Sequence, residues 1–169
     1  ITLMNHKLEN TQNGLVSELE TRLAASSGAS INAIDGLQHI IADDPTASVS
    51  VGGINQSTET WWRNKTKNMT GLSFASVGVD NMRTMLNNCM NNLKMDAPDL
   101  LLSGQTPYEM YEDAVLGFYR VTNNKMADAG FQNQVYKGIP MVWSPSIANT
   151  RMYFLNTNFF HFVYDPMMF

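Results

Sequence analysis

The stretch DLLLSGQTPYE, residues 99–109, joins a predicted strand to a predicted helix through one glycine. The apolar run before Gly104 is short and bounded by turn residues, which is typical of a central strand. Thr106 and Glu109 have the spacing of a capping box, and Pro107 stands at the first helical position. A strand that turns directly into a helix indicates a fold in which helices pack on a sheet.

Three helices are expected, because apolar side chains recur at helical spacing in residues 2–25 and 79–94 and after the predicted capping box. The first stripe comprises Met4, Leu8, Leu15, Leu19 and Leu23. The second stripe comprises Val79, Met82, Leu86, Cys89 and Leu93. The third helix is expected to continue to about residue 122.

Several strands are expected, because β-branched and aromatic residues are frequent near the end of the chain. The predicted strands are residues 131–136, 139–143, 151–156 and 159–164. Thr157 and Asn158 could close a two-residue hairpin, since Asn tolerates positive φ. Upstream, residues 46–53 are expected to be a loop or edge strand with a break at two glycines, and residues 54–68 to be extended. This order predicts an α+β fold with a mixed or antiparallel sheet.

Composition indicates a globular chain with an unusually uncharged surface. The 169 residues allow a core that buries roughly 70% of the unfolded area. Charged residues make up only 15%, against about 25% in an average domain. The chain has 18 Asn and 6 Gln instead. Interfaces are depleted in Lys, Glu and Asp, so this composition favours either extensive contacts with partners or a bias of the source proteome.

Three classes of protein or site are disfavoured by simple counts. The formal net charge of −4 argues against a domain that binds nucleic acid over its whole surface. No apolar run approaches the roughly 18 residues that span a bilayer, so no membrane partner is expected. The single cysteine excludes an intrachain disulfide and a multi-cysteine metal site.

The candidate catalytic residues have simpler structural explanations. His6 is on a predicted surface helix, and His161 is among aromatic residues that predict a core or interface position. Cys89 is on the apolar stripe of the second helix, where a thiol is expected to be buried and inert. The sequence contains no phosphate-binding loop, zinc-protease or nucleophile-elbow motif. We therefore predict no catalytic, cofactor-binding or metal-binding residue, and a protein that is not an enzyme.

Two features could still bind a ligand. The turn at Gly104 could hold an anion on backbone N–H groups at the helix N-terminus. The glycine is explained equally well as a simple connection between the strand and the helix. The second feature is the segment Trp61–Lys67 (WWRNKTK), where an extended chain would place Trp61, Arg63, Lys65 and Lys67 on one face. Such a face could stack bases and hold phosphates, or anchor a protein interface.

The acidic balance of the chain favours the protein interface. The predicted assembly-contact residues are Trp61, Trp62, Arg63 and Lys65.

A series of short motifs runs along the chain in a characteristic order. It comprises Gly36-Leu37-Gln38, Ile40-Ile41-Ala42-Asp43, Pro45-Thr46, Gly52-Gly53-Ile54-Asn55, Ser57-Thr58, Trp61-Trp62-Arg63-Asn64 and the stretch 99–109. This series resembles tailed-bacteriophage major capsid proteins of the Hong Kong 97 type fold. The resemblance implies that residues 1–27 are the end of a spine helix. Residues 36–169 would then be most of an axial domain, with a mixed central sheet flanked by helices.

The same resemblance implies a structural role without a cofactor. The subunit would assemble with other copies, as pentamers and hexamers, into the icosahedral shell that encloses the genome of a phage or prophage. Scaffolding or portal proteins would be further partners, and packaged DNA would be contacted only indirectly. The location would be the virion capsid, assembled in the bacterial cytoplasm. The apolar end of the sequence, at residues 165–169, favours a piece of a longer polypeptide.

A second interpretation stays open from the residues alone. The chain could be a small α+β ligand-binding or enzymatic domain that uses the Gly104 turn or the segment Trp61–Lys67. The two interpretations differ in what they expect of the surface. A shell subunit needs large contacts with other copies, whereas a binding domain needs a pocket with a polar cluster.

Overall fold

The computed structural model describes residues 2–25, 34–47, 49–90, 97–116 and 134–161. The chain forms two compact units, Ile1–Asn68 and Met69–Phe169. Helices and a mixed sheet place it in the α+β class, as the sequence predicts. The predicted division into residues 1–27 and 36–169 concerns a larger capsid fold and stays a prediction.

The first unit begins with a long helix, α1 (Thr2–Ala24), close to the predicted bounds. Its apolar stripe is uncovered: Leu8 is 54% exposed and Leu15 is 71% exposed. A one-turn helix, α2 (Leu37–Ile40), meets its end, since Gln38 N–H donates to the Ala25 carbonyl oxygen at 3.2 Å. No helix in the described part of the chain is both long enough and apolar enough to cross a membrane.

Two short strands form a hairpin where a broken edge strand was one expectation. β1 (Ser50–Val51) pairs antiparallel with β2 (Ile54–Asn55). Gly52 and Gly53 have φ of 59° and 80°, the positive values that a type I′ turn needs at both central positions. The glycines therefore connect two strands. The extended chain predicted for residues 54–68 is wrong at Thr60–Trp62, which form a 3₁₀ turn.

The second unit begins with α3 (Phe74–Cys89), which starts five residues before the predicted helix. Gly78 leaves room for the Phe74 ring one turn earlier, because a Cβ there would lie 2.5 Å from Cδ1 of that ring. The predicted end at residue 94 is also wrong, because Met90 already has extended backbone angles. Met82 and Leu86 are buried, as the helical stripe predicts, but Val79 of the same stripe is 42% exposed.

Residues 99–109 contain β3 (Leu100–Ser103) and the start of α4 (Gln105–Leu116), but the predicted capping box is wrong. The helix starts at Gln105, two residues before Pro107, which the box requires as the first helical residue. Thr106 N–H donates to the Asn149 carbonyl oxygen at 3.0 Å, and Glu109 Oε1 accepts from Gln105 Nε2 at 2.8 Å. The Thr106 N–H therefore bonds to a loop that is distant in sequence, and the Glu109 carboxylate bonds to the neighbouring Gln105 amide instead. The predicted continuation of this helix over residues 117–122 lies outside the described residues.

The remaining strands complete a four-stranded mixed sheet. They are β4 (Gln134–Tyr136), β5 (Ile139–Trp143) and β6 (Met152–Leu155). The spatial order is β4-β5-β3-β6, with β3 parallel to β5 and the other pairs antiparallel. The central position predicted for β3 is confirmed.

The end of the described chain differs from its prediction. Thr157–Phe159 form a 3₁₀ turn, so the expected two-residue hairpin at Thr157 and Asn158 is wrong. Phe160 and His161 are not in a strand either. Asp99 accepts hydrogen bonds from the Thr157 N–H and hydroxyl, and Asn156 Oδ1 accepts from the Asn158 N–H, so both side chains hold the chain in the turn. The parts of predicted strands at residues 131–133 and 162–164 lie outside the described residues.

The core of the second unit lies between one face of the sheet and the two helices. It comprises Met82, Leu86, Leu101, Tyr111, Tyr136, Ile139 and Met141. Leu101 and Met141 are register partners in the parallel pair, and both are almost fully buried. Burial of such side chains stabilises a fold by about 1.5–3 kcal/mol each. The core therefore fixes β3, β5 and the start of α4, which frame a cleft described below.

Candidate functional site

Two adjacent tryptophans are exposed on the first unit but held in place. Trp61 is 67% exposed and Trp62 is 40% exposed, and their rings meet edge to face with centroids 5.5 Å apart. Trp61 Nε1 donates to Glu59 Oε2 at 2.7 Å, and Trp62 Nε1 donates to the Val51 carbonyl oxygen at 3.0 Å. Both indole N–H groups are therefore satisfied internally, while much of each apolar ring faces solvent.

Arg63 stabilises this surface from within. Its Nε and Nη2 atoms donate to the carbonyl oxygens of Gln56 and Ser57, each at 2.6 Å. The side chain is half-buried, so the guanidinium joins the 3₁₀ turn to the residues after β2. The prediction that Arg63, Lys65 and Lys67 share a face with Trp61 assumed an extended chain, and Thr60–Trp62 are not extended. Lys65 and Lys67 are exposed beside this turn in the sequence.

Amide side chains hold the same loop together. Gln56 is 2% exposed, and its Nε2 donates to the Trp62 carbonyl oxygen at 3.2 Å. Asn64 Nδ2 donates to the Ala42 carbonyl oxygen at 2.9 Å. Sequence reasoning assigned neither side chain a role, although Asn64 belongs to the motif series quoted above and Gln56 lies between two of its motifs. Gln56 and Asn64 thus support this loop from inside, whereas many other amides of the described residues are exposed.

The Gly104 turn is built for close packing. Gly104 N–H donates to the Arg151 carbonyl oxygen at 2.8 Å, and Thr106 N–H donates to Asn149, as noted above. A Cβ at Gly104 would lie 2.9 Å from the Asn149 Cα, closer than real Cβ contacts allow. Two N–H groups that an anion would need are therefore directed to the 144–151 loop, which weakens the anion-site interpretation.

The histidines and the cysteine differ in their surroundings. His6 Nδ1 is 3.7 Å from Glu9 on the exposed face of α1, and His39 Nε2 is 3.9 Å from Asp35. His161 was predicted to lie in an aromatic strand, in the core or at an interface. It is exposed and is not in a strand, so the core position and the strand are wrong. Cys89 is half-buried rather than buried. Within the described ranges, no three acidic, histidine or cysteine side chains are grouped to hold a metal ion.

A cleft that sequence reasoning missed lies between α4 and the end of β5. Gln105, Tyr108, Glu109, Glu112 and Trp143 line a volume of about 230 Å³. Trp143 is 47% exposed there. The four α4 residues share one helical face because of their spacing, and this was the available signal. We call this feature the acidic aromatic cleft.

Comparisons with known proteins give no match. No protein-family model, no curated protein and no solved structure matches this chain. Its function is therefore inferred from its own residues and geometry.

Proposed function

We propose that the chain is a structural subunit, or part of one, of an icosahedral bacteriophage or prophage capsid. It associates with other copies, as pentamers and hexamers, into the shell that encloses the genome, and no catalysis is needed for this role. The motif series from Gly36 to Glu109 supports the capsid class by resemblance. The observation that carries self-association is the exposed but hydrogen-bonded pair Trp61 and Trp62.

This pair has the properties of an interface anchor. Tryptophan is enriched among residues that dominate binding energy, because its ring buries a large apolar area. Association normally costs about 0.5–1.5 kcal/mol for each flexible side chain that is immobilised. The bonds from Trp61 to Glu59 and from Trp62 to Val51 fix the rings beforehand and lower that cost. Arg63 supports the anchor from inside the unit rather than by direct contact.

Electron microscopy of the purified gene product that contains these residues tests the proposal. We expect closed particles of uniform size, and a monomer that persists at high concentration under several salt conditions would overturn it. Trp61→Ala should reduce particle yield without unfolding the subunit. The matched control is Leu72→Ala, because Leu72 is also an exposed apolar residue, 51% exposed, but lies outside the tryptophan pair.

One observation favours the second interpretation, a ligand-binding domain. Lys65 and Lys67 are exposed close in sequence to Trp61, and tryptophan with cations can bind single-stranded nucleic acid. Titration of the chain with a single-stranded oligonucleotide, followed by tryptophan fluorescence, tests this. Saturable, salt-dependent quenching that Lys65→Glu abolishes would favour the binding domain. No quenching would leave the capsid proposal as the one supported.

A further inference from the structure

A lysine stands where a hairpin turn favours glycine or asparagine. Lys137 and Gly138 form the two-residue turn between β4 and β5, with φ of 50° and 86°. The left-handed region is costly for a residue with a long side chain, so Asn-Gly is the usual choice for such a turn. Lys137 is exposed, and its Nζ lies 5.8 Å from the centroid of the Tyr136 ring, near the outer limit of a cation–π contact. Contacts inside the fold thus do little to account for this lysine.

The acidic aromatic cleft lies at the opposite end of the same strand. β5 begins directly after the Lys137 turn and ends at Trp143, which lines the cleft. The strand extends about 13 Å from Ile139, which follows the turn, to Trp143 in the cleft. Glu109 receives one hydrogen bond, from Gln105, and in the described part of the chain neither Glu109 nor Glu112 forms a salt bridge.

The lining of the cleft selects a cationic side chain. The Glu109 and Glu112 carboxylates attract an ammonium group, and an ammonium donates charge-assisted hydrogen bonds to carboxylates. Trp143 and Tyr108 add aromatic rings, whose faces also attract cations. A lysine has an apolar stem that can lie along these rings while its charged end reaches the carboxylates.

We propose that Lys137 of one copy binds in the acidic aromatic cleft of a second copy. This proposal rests on the proposed self-association and identifies one of its contacts. The Lys137 turn and the acidic aromatic cleft are different surfaces at opposite ends of β5, so the contact is head to tail. Head-to-tail contacts generate rings when the rotation between copies closes. The contact therefore suits a pentamer or hexamer better than an isolated dimer.

Charge reversal on each side, alone and combined, tests the contact by sedimentation velocity on the full gene product. We expect Lys137→Glu, and separately Glu109→Lys with Glu112→Lys, to weaken association by at least about tenfold, since like charges then meet. The triple variant should recover most of the lost association. Lys137→Asn keeps the turn geometry and should also weaken association, which separates loss of the contact from misfolding. Asp113→Lys is the matched control, because Asp113 is exposed on α4 but does not line the cleft.

The outcomes separate this inference from the capsid proposal. Reversal variants that associate like the wild type, or a triple variant that does not recover, overturn the contact even when shells form. Small wild-type rings that respond to the reversals and never close into shells support the contact and overturn the capsid proposal. A wild type that stays monomeric overturns both.

Discussion

Asp99 accepts both hydrogen bonds that Thr157 can donate, although 58 positions separate them. The Thr157 N–H donates to Oδ1 at 2.8 Å, and its hydroxyl donates to Oδ2 at 2.6 Å. The residue before β3 is thereby tied to the turn after β6. These bonds, the hydroxyl first, hold the pKa of the Asp99 carboxyl below its usual range.

This clamp predicts a pH-dependent contribution to stability. A depressed folded-state pKa stabilises the fold above the unfolded pKa of about 3.9, and the contribution is lost as pH falls through the lower folded value. Asp99 is exposed, so Asp99→Asn should lower the free energy of unfolding at pH 7 by only about 1 kcal/mol or less. Urea unfolding should show this difference shrinking below pH 4. Asp113→Asn should show neither effect, and a constant Asp99→Asn difference down to pH 2 would contradict the prediction.

The same clamp shows why local sequence signals failed at two places. Asn158 tolerates the backbone angles of a two-residue hairpin, but Thr157 donates hydrogen bonds to Asp99 and a 3₁₀ turn forms. Thr106 has capping-box spacing, but the Asn149 carbonyl oxygen takes its N–H. Asp99 and Asn149 are distant in sequence from the residues that they bind, and a local pattern holds no information about them.

Signals that depend on burial were more reliable. The helical spacing of Met82 and Leu86 predicted their place in the core, and the apolar run 100–103 predicted the central strand. The exposed tryptophans were recognised as a candidate contact, but the internal role of Arg63 was not, because residue type alone does not distinguish a guanidinium bound to carbonyls from a free one. The acidic aromatic cleft was missed since its members come from a helix and a strand that only the fold brings together.

The hairpin turn offers a stabilising substitution. Lys137→Asn creates Asn-Gly, which tolerates positive φ at both positions, so the free energy of unfolding should rise by about 0.5–1 kcal/mol. Gly138→Ala should lower it by about 1 kcal/mol or more, because φ is 86° there. Chemical denaturation of the two variants measures both shifts. Equal stability of the two variants would show that the turn is not strained at these positions.

The strand-to-helix turn should tolerate changes at Thr106 but not at Gly104. Thr106→Ala should change the free energy of unfolding by less than about 0.5 kcal/mol, since its side chain does not form the capping box. Gly104→Ala should cost at least about 2 kcal/mol, because the added Cβ overlaps the backbone at Ala148 and Asn149. Thermal unfolding compares the two, and a loss of about 1 kcal/mol for Thr106→Ala would restore the capping role.

Trp62 should contribute to assembly more than to folding. Trp62→Ala is expected to lower the yield of assembled particles, because truncating an anchor typically costs about 2 kcal/mol or more of association energy. Trp62→Phe keeps an aromatic ring but loses the bond to Val51, so it should retain more assembly than Trp62→Ala. Circular dichroism checks the fold, and particle yield is read by electron microscopy. A Trp62→Ala chain that fails to fold would place this residue in the core instead.

The apolar stripe of α1 predicts that this helix changes its protection on assembly. An isolated amphipathic helix gains most of its stability from packing, and the stripe residues Leu8 and Leu15 are uncovered. In a proven monomer, amides of α1 should therefore exchange with solvent faster than those of α3, whose Met82 and Leu86 are buried. Assembly should slow exchange in α1 while leaving α3 nearly unchanged, because we expect a second copy to cover the stripe. Hydrogen exchange measured by mass spectrometry on monomer and assembled fractions provides the comparison, with peptides from α3 as the internal reference. Equal protection of the two helices in the monomer would mean that α1 already has its packing partner, and the expected coupling to assembly would then be wrong.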